Sequence, residues 1–278
     1  MKQGFYRESF WDYIKADGIN RSFLHRMINK SPGAAKWEQE HPETTDAMRV
    51  GDAFHAAVLE PKRFRNEYIV LPDNCRPGSG KGMKERKEAF ETNAAKGGLT
   101  IITPNDMEMI TSMQSSVSRN KEAMTLLDSD LKEVSGYFLD PDFDNILVKF
   151  RADCIHKDTM IVPDLKSCAD ARKALFTKSA YEHGYDMQAY LTLKGISIIT
   201  GCQHTDFRFI CVEKKGFCGN TVYPTTEEFL EIGRRKYVKA INLYMDCVTK
   251  DKWPGYPEIS EPLGPPAWAK ENLEYIYD

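Results

Sequence analysis

Apolar residues in the first 130 positions recur three and four apart. In 104–127 the spacing is carried by Met107, Ile110, Met113 and Val117, which is one face of an α-helix. In 45–59, Met48, Phe54 and Val58 share a face with Gly51 and His55, and Pro61 predicts the stop. A short helix is predicted over 9–15, with Phe10, Trp11, Tyr13 and Ile14. Another starts at Ser22, read as its N-cap, runs through Phe23, Leu24, Met27 and Ile28, and stops at Ser31-Pro32-Gly33. After the loop RPGSGKGMKERK a charged helix is predicted over 84–96. The expectation to this point is helix and loop alone.

The period changes at about Glu133. Three strand candidates follow, 133–139 (EVSGYFL), 145–155 (NILVKFRADCI) and 160–167 (MIVPDLKS), joined by the turn-like DPDFDN and HKDT. A helix over 179–200, strands over 206–213 and 220–223, and a helix over 226–248 opened by Thr225/Thr226 complete the pattern. The proline-rich tail after it is expected to lie extended on the surface. This order predicts a mixed α/β fold, a mixed central β-sheet flanked by helices with helical N-terminal additions, as a single domain over 1–278. Within it, 1–130 is the mainly helical part that carries His55, 131–224 the sheet and its helix, and 225–278 the last helix and the tail.

Charge changes the picture only by exclusion. With 38 Lys+Arg against 41 Asp+Glu the formal charge is −3, too balanced for a protein that coats nucleic acid, so any such contact must be local. The best apolar stretch, 196–199, is far short of the ~20 residues of a membrane span. The start, MKQGFYRESFWDY, has no apolar segment after its lysine, and a cytoplasmic protein is expected. Seven cysteines lack the close pairs of a zinc or iron–sulfur site and are expected to be reduced and buried.

The chemistry concentrates in KFRADCIHKDTMIVPDLKSC. Side chains alternate along a strand, so Asp164 and Lys166 point the same way. A hairpin turning about the Asp158–Thr159 bond sets Asp153 opposite Asp164, two like charges that repel unless something neutralises them. A divalent cation does so, and oxygen ligands favour Mg²⁺ or Mn²⁺. Lys166 would stand beside it, able to orient a water and to offset negative charge in a phosphorane-like transition state. A solvated salt-bridge ladder would use the same three residues, but Ile155, Val162 and Leu165 make these strands interior, where unpaired acids cost several kcal/mol.

Four ordered motifs now resemble the PD-(D/E)XK nuclease superfamily in its RecB-like branch: Gly51-x-x-x-His55 in RVGDAFHAAVLEP, Asp153 in KFRADC, Asp164-Leu-Lys166, and Gln188 in GYDMQAY. The wording is most similar to the exodeoxyribonuclease VIII (RecE-type) group of phage recombination exonucleases. Two departures stand out. Ala152 replaces the proline that often precedes the first aspartate, and Thr192 lies four after Gln188 where relatives have tyrosine, with Tyr185 and Tyr190 nearby instead.

The resemblance implies a restriction-endonuclease-like αβββαβ core and a two-metal phosphodiesterase acting on DNA ends, with two Mg²⁺ (or Mn²⁺) per active site. Asp153 and Asp164, with the main-chain carbonyl of Leu165, would hold the main metal, and Glu133 would sit near the second. His55 would ligate a metal or meet the scissile phosphate, Lys166 would serve the attacking water, and Gln188 would hydrogen-bond substrate or a catalytic side chain. Taken alone, His55 reads as a core histidine; its company changes that. The segment INRSFLHRMINKSPGAAKW also resembles lambda exonuclease, which makes Ser22 and Arg21 candidates for a DNA 5′-phosphate at a helix N-terminus. Tyr185, Tyr190 and Arg151 are further DNA-contact candidates, and RPGSGKGMKERK, which lacks phosphate-loop spacing, reads as a basic loop.

Also implied are 5′ to 3′ degradation of double-stranded DNA, a homo-oligomeric ring (trimer or tetramer) with Arg151, Lys173 and Lys178 on its inner wall, and a single-strand annealing protein as partner. Rival readings are a Cas4-like nuclease, whose cysteine cluster is missing, a repair nuclease, and a catalytically silent DNA-end-binding subunit. Intact Asp153, Asp164 and Lys166 count against the last.

Overall fold

The computed structural model describes residues 2–129, 131–260 and 262–265. Strand β1 (Gly4–Tyr6) leads into α1 (Phe10–Lys15), capped by the Ser9 hydroxyl, and then α2 (Arg21–Asn29), α3 (Pro32–Glu40), α4 (Asp46–Leu59) and α5 (Pro61–Glu67). After β2 (Tyr68–Val70) come α6 (Met83–Lys96), β3 (Thr100–Ile102), α7 (Pro104–Arg119) and α8 (Lys121–Leu127). The second half holds β4 (Leu131–Asp140), β5 (Ile146–Ile155), β6 (Ile161–Cys168), α9 (Lys173–Glu182), α10 (Tyr185–Thr200), β7 (Asp206–Glu213), β8 (Asn220–Pro224) and α11 (Glu227–Lys250).

Three short strands therefore interrupt what was expected to be helix and loop, with β2 and β3 paired in parallel and β1 antiparallel to β4. Prolines explain two missed helices. The preceding helices stop where expected, at Asn29 and Leu59, but Ser31-Pro32 and Glu60-Pro61 also begin α3 and α5, because proline lacks only an N–H that the first turn leaves free anyway. The N-cap of α2 is Asn20, whose side chain accepts from the Phe23 N–H at 2.9 Å; Ser22 lies inside the first turn and is not the cap. The expected helix over 104–127 is two, broken at Asn120, whose side chain caps α8. That over 179–200 is split at Gly184, where φ is +66° and a Cβ would stand 2.5 Å from His25 Nδ1.

The longer strands, with β1 at one edge, form two three-stranded sheets, β1-β4-β5 and β6-β7-β8, with β6 and β7 parallel. At the β5–β6 turn the His156 N–H donates to the Ile161 carbonyl at 3.0 Å, the pairing that the expected hairpin register demands. Beyond it, among the described residues, no ladder joins β5 to β6, which corrects the expected strand pair. The gap is instead bridged by the Asp153 carboxylate, which accepts the Leu165 N–H.

Helices cover both faces of the strands. Phe138, Phe150, Phe207, Phe209 and Tyr237 bury one face under α2, α10 and α11, while Phe54, Ile110, Met113, Leu165 and Ile210 bury the other under α4 and α7. Each fully buried side chain of this size contributes roughly 1.5–3 kcal/mol. Buried charges fasten the layers. Asp140 on β4 accepts from Tyr237 Oη at 2.6 Å and pairs with Lys194 at 2.7 Å, tying α11 and α10 to the sheet. Lys149 Nζ donates to the carbonyls of Tyr13 (2.8 Å) and Ala16 (2.5 Å) and so caps the C-terminus of α1 from β5.

After α11 the Pro254 carbonyl accepts from the Gly33 N–H at 2.9 Å, and Trp253 packs on Phe23 and Tyr244. Residues 261 and 266–278 of the proline-rich tail fall outside the described residues. Of the cysteines only Cys202 departs from the expected burial. Among the described residues no helix is long and apolar enough to cross a membrane.

Candidate active site

Four elements deliver side chains to the open gap between β5 and β6. His55 projects from α4, Glu133 from β4, Asp153 from β5, and Asp164 with Lys166 from β6. Glu133 and Asp153 meet because of register. The pairs Lys132↔Cys154 and Val134↔Ala152 flank them, so Glu133 falls opposite Asp153. The Glu133 backbone is left-handed there, with φ +50°, a conformation costing about 1–3 kcal/mol that is kept where the surroundings enforce it, often at functional sites.

The distances are short. His55 Nδ1 lies 3.5 Å from Asp153 Oδ1 and 3.6 Å from Glu133 Oε1, and ligand atoms of the three residues all fall within 4.8 Å of one another. Asp153 Oδ2 accepts the Leu165 N–H at 2.6 Å. The N–H and C=O of one strand residue leave the backbone on the same side, so the Leu165 carbonyl faces this gap too. Lys166 Nζ stands 2.5 Å from Asp164 Oδ2 and 4.9 Å from the centre of the Tyr185 ring. Gln188 donates its Nε2–H to Asp164 Oδ1 at 2.7 Å.

The charges are strongly coupled. Burial opposes a charged imidazole at His55, but Asp153 and then Glu133 outweigh it and hold the ring protonated well above the usual histidine range. Burial also disfavours the Asp153 carboxylate, yet His55, Lys166 and the Leu165 N–H together bring its pKa below normal. Asp164 goes the other way. Burial, partly offset by Lys166 and reinforced by Asp153, pushes its carboxyl up to about 6. Burial lowers Lys166, but the two aspartates more than compensate and raise it.

The donor set suits a hard divalent cation. Two carboxylates and an imidazole converge, and Glu133 Oε1 is buried with no hydrogen-bond partner, an acceptor left for something not made of protein. Glu133, Asp153 and His55 would hold the ion, and the imidazolium supplies the positive charge when none is bound. Asp164, expected in the same ligand set, stands beside the trio, with Oδ1 accepting from Gln188 and Oδ2, buried without a hydrogen bond, 2.5 Å from Lys166 Nζ.

The remaining candidates divide. Arg151, a DNA-contact candidate, donates to Glu133 Oε2 (3.0 Å), Ser135 Oγ (3.2 Å) and the Glu8 carbonyl (3.0 Å), which turns the other Glu133 oxygen towards His55. The register of β4 on β5 would expose this pairing in the sequence only if the left-handed kink at Glu133 were known. Tyr185 reaches the site through Lys166. Tyr190 does not: it packs on Tyr237 between α10 and α11, with ring centres 5.5 Å apart. Lys173 and Lys178 are exposed on α9. Gly51, one turn before His55, faces open space, since a Cβ there would meet nothing within 4 Å.

Two cavities lie close by; the smaller touches the trio at Glu133, and the larger borders Arg151 and Gln188, the residues that hold Glu133 and Asp164. The larger, about 630 Å³, is lined by Arg21, Ser22, Arg26, Lys30, Arg151 and Gln188 among others. The smaller, about 440 Å³, includes Glu133, Glu60, Arg63 and again Arg151. Arg21 donates to the His183 carbonyl at 3.0 Å. Sequence reasoning does not single out Arg26 and Lys30, although they lie four and eight residues beyond Ser22, on α2 and at its C-cap.

Comparison with known proteins agrees with this fold. The solved structure of a candidate exonuclease from Eubacterium rectale superposes with a TM-score of 0.62 at 13% identity, covering 96% of this chain and 98% of that one. A phage-related exonuclease from Haemophilus somnus 129PT gives a TM-score of 0.32 at 13% identity over 87% of this chain and all of its own. No curated protein matches the sequence. The profile of one family matches residues 26–263, a span that contains all four motifs of the site. The chain belongs to that family, described as a PDDEXK-like domain of unknown function (DUF3799).

Proposed function

We propose that this protein is a metal-dependent exodeoxyribonuclease that degrades linear double-stranded DNA from its ends. The observation that carries the reading is the clasp across the β5–β6 gap. Asp153 is fixed by the Leu165 N–H with His55 and Glu133 against it, and Lys166 stands on the adjoining strand without being a ligand. Membership of a PDDEXK-like family and the backbone likeness to a candidate exonuclease support the same class.

A bound Mg²⁺ or Mn²⁺, two per site in the superfamily pattern, would polarise the phosphate and acidify a water. The protein's own groups do the rest. Lys166 orients the water and offsets charge on the phosphate oxygens. Gln188 holds Asp164, and Arg151 holds Glu133, so that neither acid is free to turn. Ser22 and Arg21, at the N-terminus of α2 in the larger cavity, would receive the 5′-phosphate. Polarity would then be 5′ to 3′, leaving 3′ single strands for an annealing protein, and a ring of three or four copies would keep the enzyme on its substrate.

Digestion of end-labelled linear duplex beside a covalently closed circle tests the exonuclease assignment. The linear DNA is expected to shorten from its 5′ ends with the circle intact. Equal nicking of the circle would show an endonuclease instead.

A further inference from the structure

The mouth of the larger cavity carries aromatic surface that the fold does not use. Trp37, on α3, is 54% exposed. His41 stacks on the indole with ring centres 4.6 Å apart and planes 16° from parallel, and its Nδ1 lies 2.9 Å from the Trp37 carbonyl. Met48, at the start of α4, lines the same mouth and is 49% exposed.

Behind this rim the wall is basic. Arg21, Arg26, Lys30 and Arg151 line it against Glu38 and Glu43. Lys30 and Arg26 share Glu38, at 2.5 and 3.4 Å, and Arg26 Nε is buried without a hydrogen bond. An exposed ring beside a cationic groove is the combination that takes single-stranded nucleic acid, because every base has a π-face and a stacked duplex hides it. The rim is also tied to the site: Met48 and His55 are seven residues apart on α4, two turns along one face and ~10 Å.

We infer that the Trp37–His41 stack is a platform for an unpaired base of a DNA strand whose phosphates run along the basic wall towards His55. The inference rests on reading this cavity as the approach to a hydrolytic site. It adds that the strand arrives with at least one base out of its duplex.

The test is anisotropy of a short labelled single-stranded oligonucleotide in EDTA, with the full chain as wild type, Trp37→Ala and Trp37→Phe. A second oligonucleotide of abasic nucleotides is the control. Trp37→Ala is expected to weaken binding of the normal strand about tenfold and Trp37→Phe by no more than about twofold. Wild type and Trp37→Ala should bind the abasic strand alike, with the same salt dependence, since no phosphate contact is lost. Wild-type affinity in Trp37→Ala overturns the platform, as does a loss that persists on abasic DNA. Cleavage is measured separately with Mg²⁺. A wild type that never cuts but shows the base-dependent loss would refute the hydrolase reading and keep the platform.

Discussion

Lys166→Ala is expected to slow DNA hydrolysis by about a thousandfold while leaving divalent-ion binding in place. Lys166 stands outside the His55–Glu133–Asp153 trio and touches the acid of the D-x-K motif, 2.5 Å from Asp164 Oδ2. Its ammonium sits over the Tyr185 face, an arrangement that favours the charged form and keeps it from wandering. Removing it leaves all three trio side chains in place, with His55 and the Leu165 N–H still favouring the Asp153 carboxylate, so Mn²⁺ titrated by calorimetry should still bind. Asp153→Asn differs, because it deletes the charge that both the ion and His55 rely on. It should lose ion binding and cleavage together. Single-turnover cleavage within about tenfold of wild type in Lys166→Ala would remove the lysine from the chemistry.

The largest effect on stability is expected from Gly233→Ala on α11. A Cβ there would lie 2.1 Å from the Asp186 carbonyl oxygen and 2.5 Å from its carbon, and backbone at the start of α10 cannot swing aside as a side chain can. Lys236, one turn on, pairs with the buried Asp186 carboxylate at 2.6 Å, so this helix contact has both a steric and an ionic latch. Overpacking costs about 1–3 kcal/mol when side chains can yield, and more when they cannot. We expect roughly 3 kcal/mol or more, a drop in Tm of about 6–12 °C by calorimetry. The damage should reach function, since Asp186 stands two residues before Gln188, which holds Asp164. An unchanged Tm would mean that α10 and α11 part freely.

Much of the site was legible because strand alternation and register are strict. Asp153, Asp164 and Lys166 follow from a period of two and a single turn, whereas His55 was reached only through the resemblance of the four ordered motifs. The His156–Ile161 bond shows the turn where it was expected. The gap beyond it was invisible, since nothing in the composition of β5 or β6 says that a carboxylate will replace a ladder. The bracing of Glu133 by Arg151 was invisible for a related reason: it depends on the left-handed kink at Glu133, which the sequence does not announce. Ser-Pro and Glu-Pro pairs read as stops, although the same residues suit a helix start. The three short strands β1, β2 and β3 are held by long-range pairing, which local periodicity does not register.

The measurement that bears most directly on the central claim is hydrolysis of linear duplex DNA by the pure wild-type chain in EDTA and after addition of Mg²⁺ or Mn²⁺. With an ion held by Glu133, Asp153 and His55, as proposed, cleavage is expected to be absent in EDTA and restored by either ion. Cleavage that persists in EDTA, or none with both ions, would contradict it.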